Sequence, residues 1–525
     1  MVIDAEVCIV GAGPAGSLVA AELVRHKIAT VLIEAGPRHD PSRRAEYARQ
    51  LLAGVNPWRT PIPEMDRYTT GGTTNYPLEL HRARGVGGGT LHWEGYSVRF
   101  HADDFRLRTR HGVADDWPIS YETLEPYYAR AERALGVAGV ADDPWASPRS
   151  AAFPLPAFPL SYSDQLLARA VRRLDVAVHH LPQARNSIAY DGRPPCSACS
   201  TCHACPTGAK ASVDLTHVHP AEATGRLRVL PDTAVLRLET DAGGRVARAL
   251  CAGRDRREFP VSARVFVVAA GAVDTARLLL LSTSSTFPGG LANRSGLVGT
   301  RFMSHPSVDV VGRMRERVYP YRIGFSTAMS RQFAVARNRA REGAFLLELL
   351  NSASPPPAVI AALRGGWGAD LRQHVREEFG RMLGIRIYVE QLPDPANAVT
   401  VDRAVTDYFG QPVPRLTYGI GRYERDTLDE AKIIAGRLLE VAGATELWTT
   451  ELRFASHQLG TCRMGRDPRT SVVDADLRAH DVDNLYLVGG GAFATASSSP
   501  PTLTIAALAL RAADHLVGRL RPARV

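Results

Sequence analysis

The chain has 525 residues, 45% of them hydrophobic and 22% charged, with 45 Gly and 35 Pro. That profile is globular and excludes a disordered, collagen-like or coiled-coil protein. The net charge is +9, yet only Lys27, Lys210 and Lys432 are lysines and the arginines are scattered, as in the mixed run Arg254-Asp255-Arg256-Arg257-Glu258; with no contiguous basic face, a nucleic-acid partner is excluded.

No apolar run reaches the roughly 18 residues of a membrane span. The opening Met1-Val2-Ile3-Asp4-Ala5-Glu6 has no basic n-region, so a cytoplasmic location is expected. At roughly 150 residues per domain the length suggests two to four domains or one interleaved fold.

Residues 5–10 read as a buried strand running into Gly11-Ala12-Gly13-Pro14-Ala15-Gly16. A helical pattern follows to about residue 26, then a second strand, Thr30-Val31-Leu32-Ile33-Glu34. G-x-G-x-x-G between strand and helix, with an acid closing the next strand, predicts a dinucleotide site. The glycines let the backbone approach a pyrophosphate at a helix N-terminus, and Glu34 is placed to accept ribose hydroxyls.

A second glycine cluster, Gly85-Val86-Gly87-Gly88-Gly89-Thr90-Leu91-His92-Trp93, suits a loop pressed against a flat ligand. Ser120 is the expected N-cap of a helix reaching about Leu135, and the Pro-rich stretch 144–159 reads as a surface crossing. Residues 229–250 predict a hairpin, and Arg264–Ala272 a strand entering another glycine turn before a helix at Asp274–Leu281. A strand at Ile385–Glu390 and a helix near 424–441 lie in the variable stretch 305–450. The chain ends in a further strand, Leu485–Val488, its glycines and a helix from Thr502 to about Leu516.

Four of the seven cysteines form Cys196-x-x-Cys199-x-x-Cys202-x-x-Cys205-Pro206. Spacing and the closing Cys-Pro approximate an iron–sulfur run, although the last spacer is one residue short. Structural zinc on four thiolates is the second reading. Cys199-Ser200-Thr201-Cys202-His203 also satisfies C-x-x-C-H, a c-type haem motif, and free thiols complete the alternatives. Cys8, Cys251 and Cys462 are expected to be structural.

Taken together, the first βαβ unit, Gly85–Trp93, Trp117–Tyr128, Val268–Gly271, Val298–His305, and His457–Gly465 through Asn484–Thr504 resemble the glucose-methanol-choline oxidoreductase family, closest to its bacterial sugar and alcohol dehydrogenases. The resemblance implies an α/β protein: a Rossmann-like FAD domain, discontinuous in sequence (1–100, 206–304 and 455–525), and a β-sheet-based substrate domain (101–195 and 305–454), with the cysteine loop at 196–205. It makes the dinucleotide FAD, met by Gly11, Gly13, Ala15, Gly16, Glu34, Gly87, Gly88, Thr90, His92, Val235, Ala270, Gly490 and Thr502.

The resemblance places His457 beside the flavin as the base for hydroxyl oxidation, a task suited to a side chain that titrates near neutrality. Where relatives carry a second polar residue this chain has Pro500, so Ser499 is the expected substitute. His92 either packs near the flavin ring or, as in pyranose-oxidising relatives, is linked to it. Some similar sugar dehydrogenases hold a three-iron cluster near this cysteine run, so a 3Fe-4S or 4Fe-4S group is expected on Cys196, Cys199, Cys202 and Cys205. The implied reaction is oxidation of a sugar, glycoside, aminoglycoside or polyol hydroxyl, electrons leaving through the cluster to an external acceptor, a protein or a quinone. An O2-using oxidase and a lyase-like FAD protein with structural zinc are the competing readings.

Overall fold

The computed structural model describes residues 3–319, 323–335 and 337–521. The opening Met1-Val2 and the outer domain limits expected at residues 1 and 525 lie outside them.

Strand β1 (Ile3–Val10) leads through the first glycine turn into α1 (Pro14–Arg25), and β2 (Thr30–Ile33) returns beside it. Burial sorts this unit: Val7 to Ile9 and Val31 to Ile33 are apolar on both faces, as strands in a covered parallel sheet require. Helix α2 (Tyr121–Leu135) starts at the expected cap, where the Ser120 side chain accepts from Thr123 N–H. Strands β3 (Leu227–Leu230), β4 (Thr233–Thr240), β5 (Val246–Gly253) and β6 (Glu258–Val268) follow, and α3 spans Gly271–Leu281. The predicted hairpin is β4–β5, antiparallel about the turn at residues 241–245.

A second set of strands occupies the variable stretch: β7 (Pro306–Met314), β8 (Ser326–Ser330), β9 (Phe345–Leu350), β10 (Met382–Val389) and, after helix α4 (Arg422–Val441), β11 (Ala444–Thr449). They form an antiparallel sheet in the order β11-β7-β10-β9-β8, with α4 packed on β7 and β10. The chain closes on β12 (Leu485–Leu487) and α5 (Thr502–Leu520).

The first sheet runs β3-β2-β1-β6-β5-β4, and β6 divides its outer edge between two partners. Glu258–Ser262 pairs antiparallel with β5, while Phe266–Val268 pairs parallel with β12. This sheet is therefore assembled from three stretches of chain. One boundary is corrected. Helix α2, expected with the substrate domain, packs on α5, where Tyr128 Oη lies 2.7 Å from Thr504 Oγ1, and shares the first domain's core. Tyr121, Leu124, Tyr128 and Leu135 form its apolar face, and that face needs the long terminal helix to cover it.

Candidate active site

Between the two sheets lies a cavity of about 780 Å³, a size suited to a cofactor plus substrate. Gly11, Gly13, Ala15, Glu34, Gly88, Thr90, His92, Val235, Ala270, Gly490, Thr502 and His457 all line it. Gly16 and Gly87 stand behind the wall. The sequence-predicted set is thus gathered around one space from segments hundreds of residues apart.

The residues present fit an FAD. A Cβ built on Gly13 meets nothing within 4 Å, so open space remains at the N-terminus of α1, which has no side-chain cap. Free N–H groups and the helix dipole there suit a pyrophosphate. A Cβ on Gly88 would stand 2.7 Å from Gly13 Cα, so the two glycine loops are pressed together over that space. Glu34 fastens both: its carboxylate accepts from Ala12 N–H at 3.0 Å, Gly36 N–H at 2.9 Å and Gly85 N–H at 3.1 Å. Burial pushes its pKa up against those bonds.

Loop 90–93 is held from behind by Lys210, whose ammonium donates to the carbonyls of Thr90 (3.2 Å), Leu91 (3.0 Å) and Trp93 (2.8 Å). Three donors meeting three carbonyls suit an ammonium better than a planar guanidinium, a reason for lysine here in a chain rich in arginine. Burial, then the charges of His203 and Lys210, bring the His92 pKa down to about 3, so the ring facing the cavity is neutral.

His457 has a partner that the sequence reading passed over. His305 Nδ1 lies 2.7 Å from His457 Nδ1, and His305 Nε2 lies 2.9 Å from the Ser497 carbonyl oxygen. A carbonyl only accepts, so His305 carries its proton on Nε2 and, being neutral, offers a lone pair at Nδ1. His457 must then donate from Nδ1, which leaves its Nε2 lone pair unprotonated on a ring that lines the cavity. Burial, then His305 and His81, hold the His457 pKa well below the usual histidine value, and His305 itself is lowered to about 4. The signal for His305 was its place at the end of the matched segment Val298–His305.

Ser499 is buried, its hydroxyl has no hydrogen-bond partner, and it does not line the cavity; Pro500 and Pro501 do. The roof comes from the second sheet, where Arg386 and Tyr388, two residues apart on β10, face the same way. Arg386 forms a two-pronged pair with Asp309 (2.8 and 3.1 Å), and Tyr96 Oη donates to Glu348 at 2.7 Å.

Among the described residues no group of three or more His, Cys, Asp or Glu side chains is disposed to hold a metal ion. Ala198 and Ser200 adopt positive φ (53° and 55°), and Cys196 lies close enough for its charge to act on Cys202. Cys199 lies 3.0 Å from Thr201 Oγ1, Cys202 sits 3.8 Å from the Arg185 guanidinium, and Cys205 accepts from Lys210 N–H at 3.5 Å. As folded, the four thiols are not gathered on one centre. Cys8, Cys251 and Cys462 are buried. No helix among the described residues is long and apolar enough to cross a membrane.

Family models described as GMC oxidoreductase match residues 9–307 and 393–509. The chain is 34% identical to the fructose dehydrogenase large subunit of Gluconobacter japonicus, covering 99% of both chains. It is 30% identical to the 2-methyl-1,2-propanediol dehydrogenase of Mycolicibacterium austroafricanum, over 98% of this chain and 95% of that one. Among solved structures, pyridoxine 4-oxidase from Mesorbium loti shares the fold with a TM-score of 0.66 and 19% identity, over 97% of this chain and 99% of that one. With its glycine-lined cavity and split nucleotide sheet, the chain belongs to the GMC oxidoreductase family and is an oxidoreductase with that family's FAD-binding fold.

Proposed function

We propose that the protein oxidises a hydroxyl group of a small polyhydroxylated substrate, a sugar, aminoglycoside or polyol, and works as a dehydrogenase. The observation that carries the reading is the His305–His457 pair, which presents an unprotonated Nε2 on the cavity wall. FAD, when bound, supplies the two-electron acceptor for the carbon-bound hydrogen.

The chain's own residues do the rest. His457 Nε2 takes the hydroxyl proton, and His305 keeps that nitrogen unprotonated beforehand. The glycine loops and α1 hold the cofactor phosphates, and the sheet over the cavity excludes water. Ser499 has no step, because its hydroxyl is walled off from the cavity. No step passes through the cysteines.

Electrons leave to an external acceptor, a protein or quinone, rather than to O2. Supporting this, the two sequence relatives described above are named dehydrogenases, and one is itself a large subunit, although the solved structure that shares the fold is an oxidase. The test is anaerobic mixing with a panel of hexoses, hexitols and aminoglycosides. At least one member of the panel should bleach the flavin of the wild type, and His457→Ala should retain flavin while losing at least about a hundredfold in reduction rate. Dye reduction without peroxide separates dehydrogenase from oxidase. An unaffected His457→Ala rate refutes the assignment.

A further inference from the structure

We propose that Asp104 and Ser497 are positioning residues for the histidine pair: the Asp104 carboxylate holds the Ser497 hydroxyl and so aims the Ser497 carbonyl at His305 Nε2. The inference rests on the role given to His457 above and deepens it by naming what fixes the proton arrangement of the pair.

The carbonyl that receives the His305 proton belongs to a residue in a restricted conformation. Ser497 is buried and has a φ of 57°, a left-handed geometry that an L side chain keeps only where its surroundings fix it. Its own hydroxyl supplies that fixing. Oγ donates to Asp104 Oδ2 at 2.7 Å and accepts from the Ser499 N–H at 3.3 Å. Two residues earlier, Thr495 Oγ1 donates to the Asp104 carbonyl at 3.2 Å and accepts from Trp117 Nε1 at 2.7 Å. Residues 495–497 are thus tied to residue 104 through both its side chain and its main chain.

Asp104 is held just as firmly. It lies in the short helical turn Ala102–Phe105, where Oδ2 also accepts from His101 N–H at 2.8 Å. Its Oδ1 lies 2.7 Å from Nη1 of Arg339, in the loop before β9, and that guanidinium also reaches Oε1 of Glu390, just past β10, at 3.2 Å. All three charged side chains are buried. Burial opposes ionisation of Asp104, but neighbouring positive charge, Arg339 foremost, and the Ser497 hydroxyl hold its carboxyl below the usual range. An ionised carboxylate only accepts, which makes the Ser497 hydroxyl the donor. A line of contacts therefore runs from the second sheet through Arg339, Asp104 and Ser497 to His305, and ends on His457. Neither Asp104 nor Ser497 lines the cavity, so the pair acts on the rate and not on binding. Without the hydroxyl link the carbonyl is free to turn away, His305 can carry its proton on Nδ1, and His457 loses its unprotonated Nε2.

The test is anaerobic stopped-flow flavin reduction, at saturation with whichever hexose, hexitol or aminoglycoside reduces the wild type fastest. Substrate affinity, flavin content and melting curves are read alongside. Ser497→Ala should lower the limiting rate about tenfold, with affinity and flavin content within about twofold of wild type. Ser497→Gly, which adopts the left-handed backbone without cost, should melt closer to wild type than Ser497→Ala yet show the same loss in rate. Asp104→Ala should lose at least as much rate, and Asp104→Asn less, since its amide oxygen still accepts from Ser497. Placed in a His305→Leu background, Ser497→Gly should cost less than about twofold more, because the proton arrangement it protects is already gone. A Ser497→Gly rate within twofold of wild type, a loss that adds in full to that of His305→Leu, or a loss confined to affinity or flavin content overturns the inference and leaves the histidine pair in place. A His305→Leu variant reduced as fast as wild type overturns both.

Discussion

His305→Leu isolates the contribution of the histidine pair. His305 is fully buried, and the substitution removes the acceptor 2.7 Å from His457 Nδ1 along with the donor to the Ser497 carbonyl. A buried N–H without a partner costs about 1 to 3 kcal/mol. His457 avoids that cost by moving its proton to Nε2, where solvent or substrate in the cavity can accept it, and the base is then lost. Holding the productive tautomer against this preference costs the same amount, or about a fivefold to hundredfold drop in flavin reduction. His305→Gln, whose amide oxygen can still accept, should lose less. Because His305 does not line the cavity, flavin content and substrate affinity should stay close to wild type. The assay is stopped-flow reduction under anaerobic saturation, with flavin content measured by absorbance. A leucine variant reduced within twofold of wild type, or one that loses affinity with no loss in limiting rate, refutes the tautomer argument.

Four further outcomes are expected. The wild-type reduction rate should stay flat from about pH 8 to about pH 6, because burial and the adjacent imidazoles keep His457 neutral well below 6.5; a rate limb centred at 6.5 contradicts this. Gly13→Ala should fold but load less FAD, since its Cβ enters open space at the α1 N-terminus, whereas Gly16→Ala, whose Cβ would lie 2.0 Å from Gly11 O, should fail to fold; flavin content and melting curves separate the two. Lys210→Met orphans three carbonyls and should lower stability by about 3 kcal/mol or more, read by denaturant unfolding. His217, half-buried and lowered to about 4, stays neutral in the fold while the unfolded chain binds a proton near 6.5. Its contribution is present above 6.5 and lost as pH falls toward 4, at about 1.4 kcal/mol per pH unit, so His217→Gln should flatten the acid side of the stability profile.

The parts of this site that were legible in the sequence are those fixed by the backbone. Gly11, Gly13 and Gly88 mark places where a Cβ would collide or intrude, and such positions announce themselves as glycine whatever lies around them. The same holds for β1, β2 and β6, whose continuous apolar runs need no partner to be recognised as buried strands. The substrate side was not legible, because its chemistry depends on pairings between distant segments. Arg386 is an ordinary strand residue until Asp309 on β7 stands opposite it, and Glu94 is an acid after a tryptophan until His203 is folded against it. His305 shows the boundary most sharply. Its segment was matched, yet the role comes from a nitrogen 2.7 Å away on a residue 152 positions later. The cysteine run is a different case: its regular spacing suggests a common centre, and the folded thiols are not gathered on one. Spacing constrains which groups can meet. Backbone conformation decides which do, and in this chain it brought the histidine of that run, not its sulfurs, to the wall of the active site.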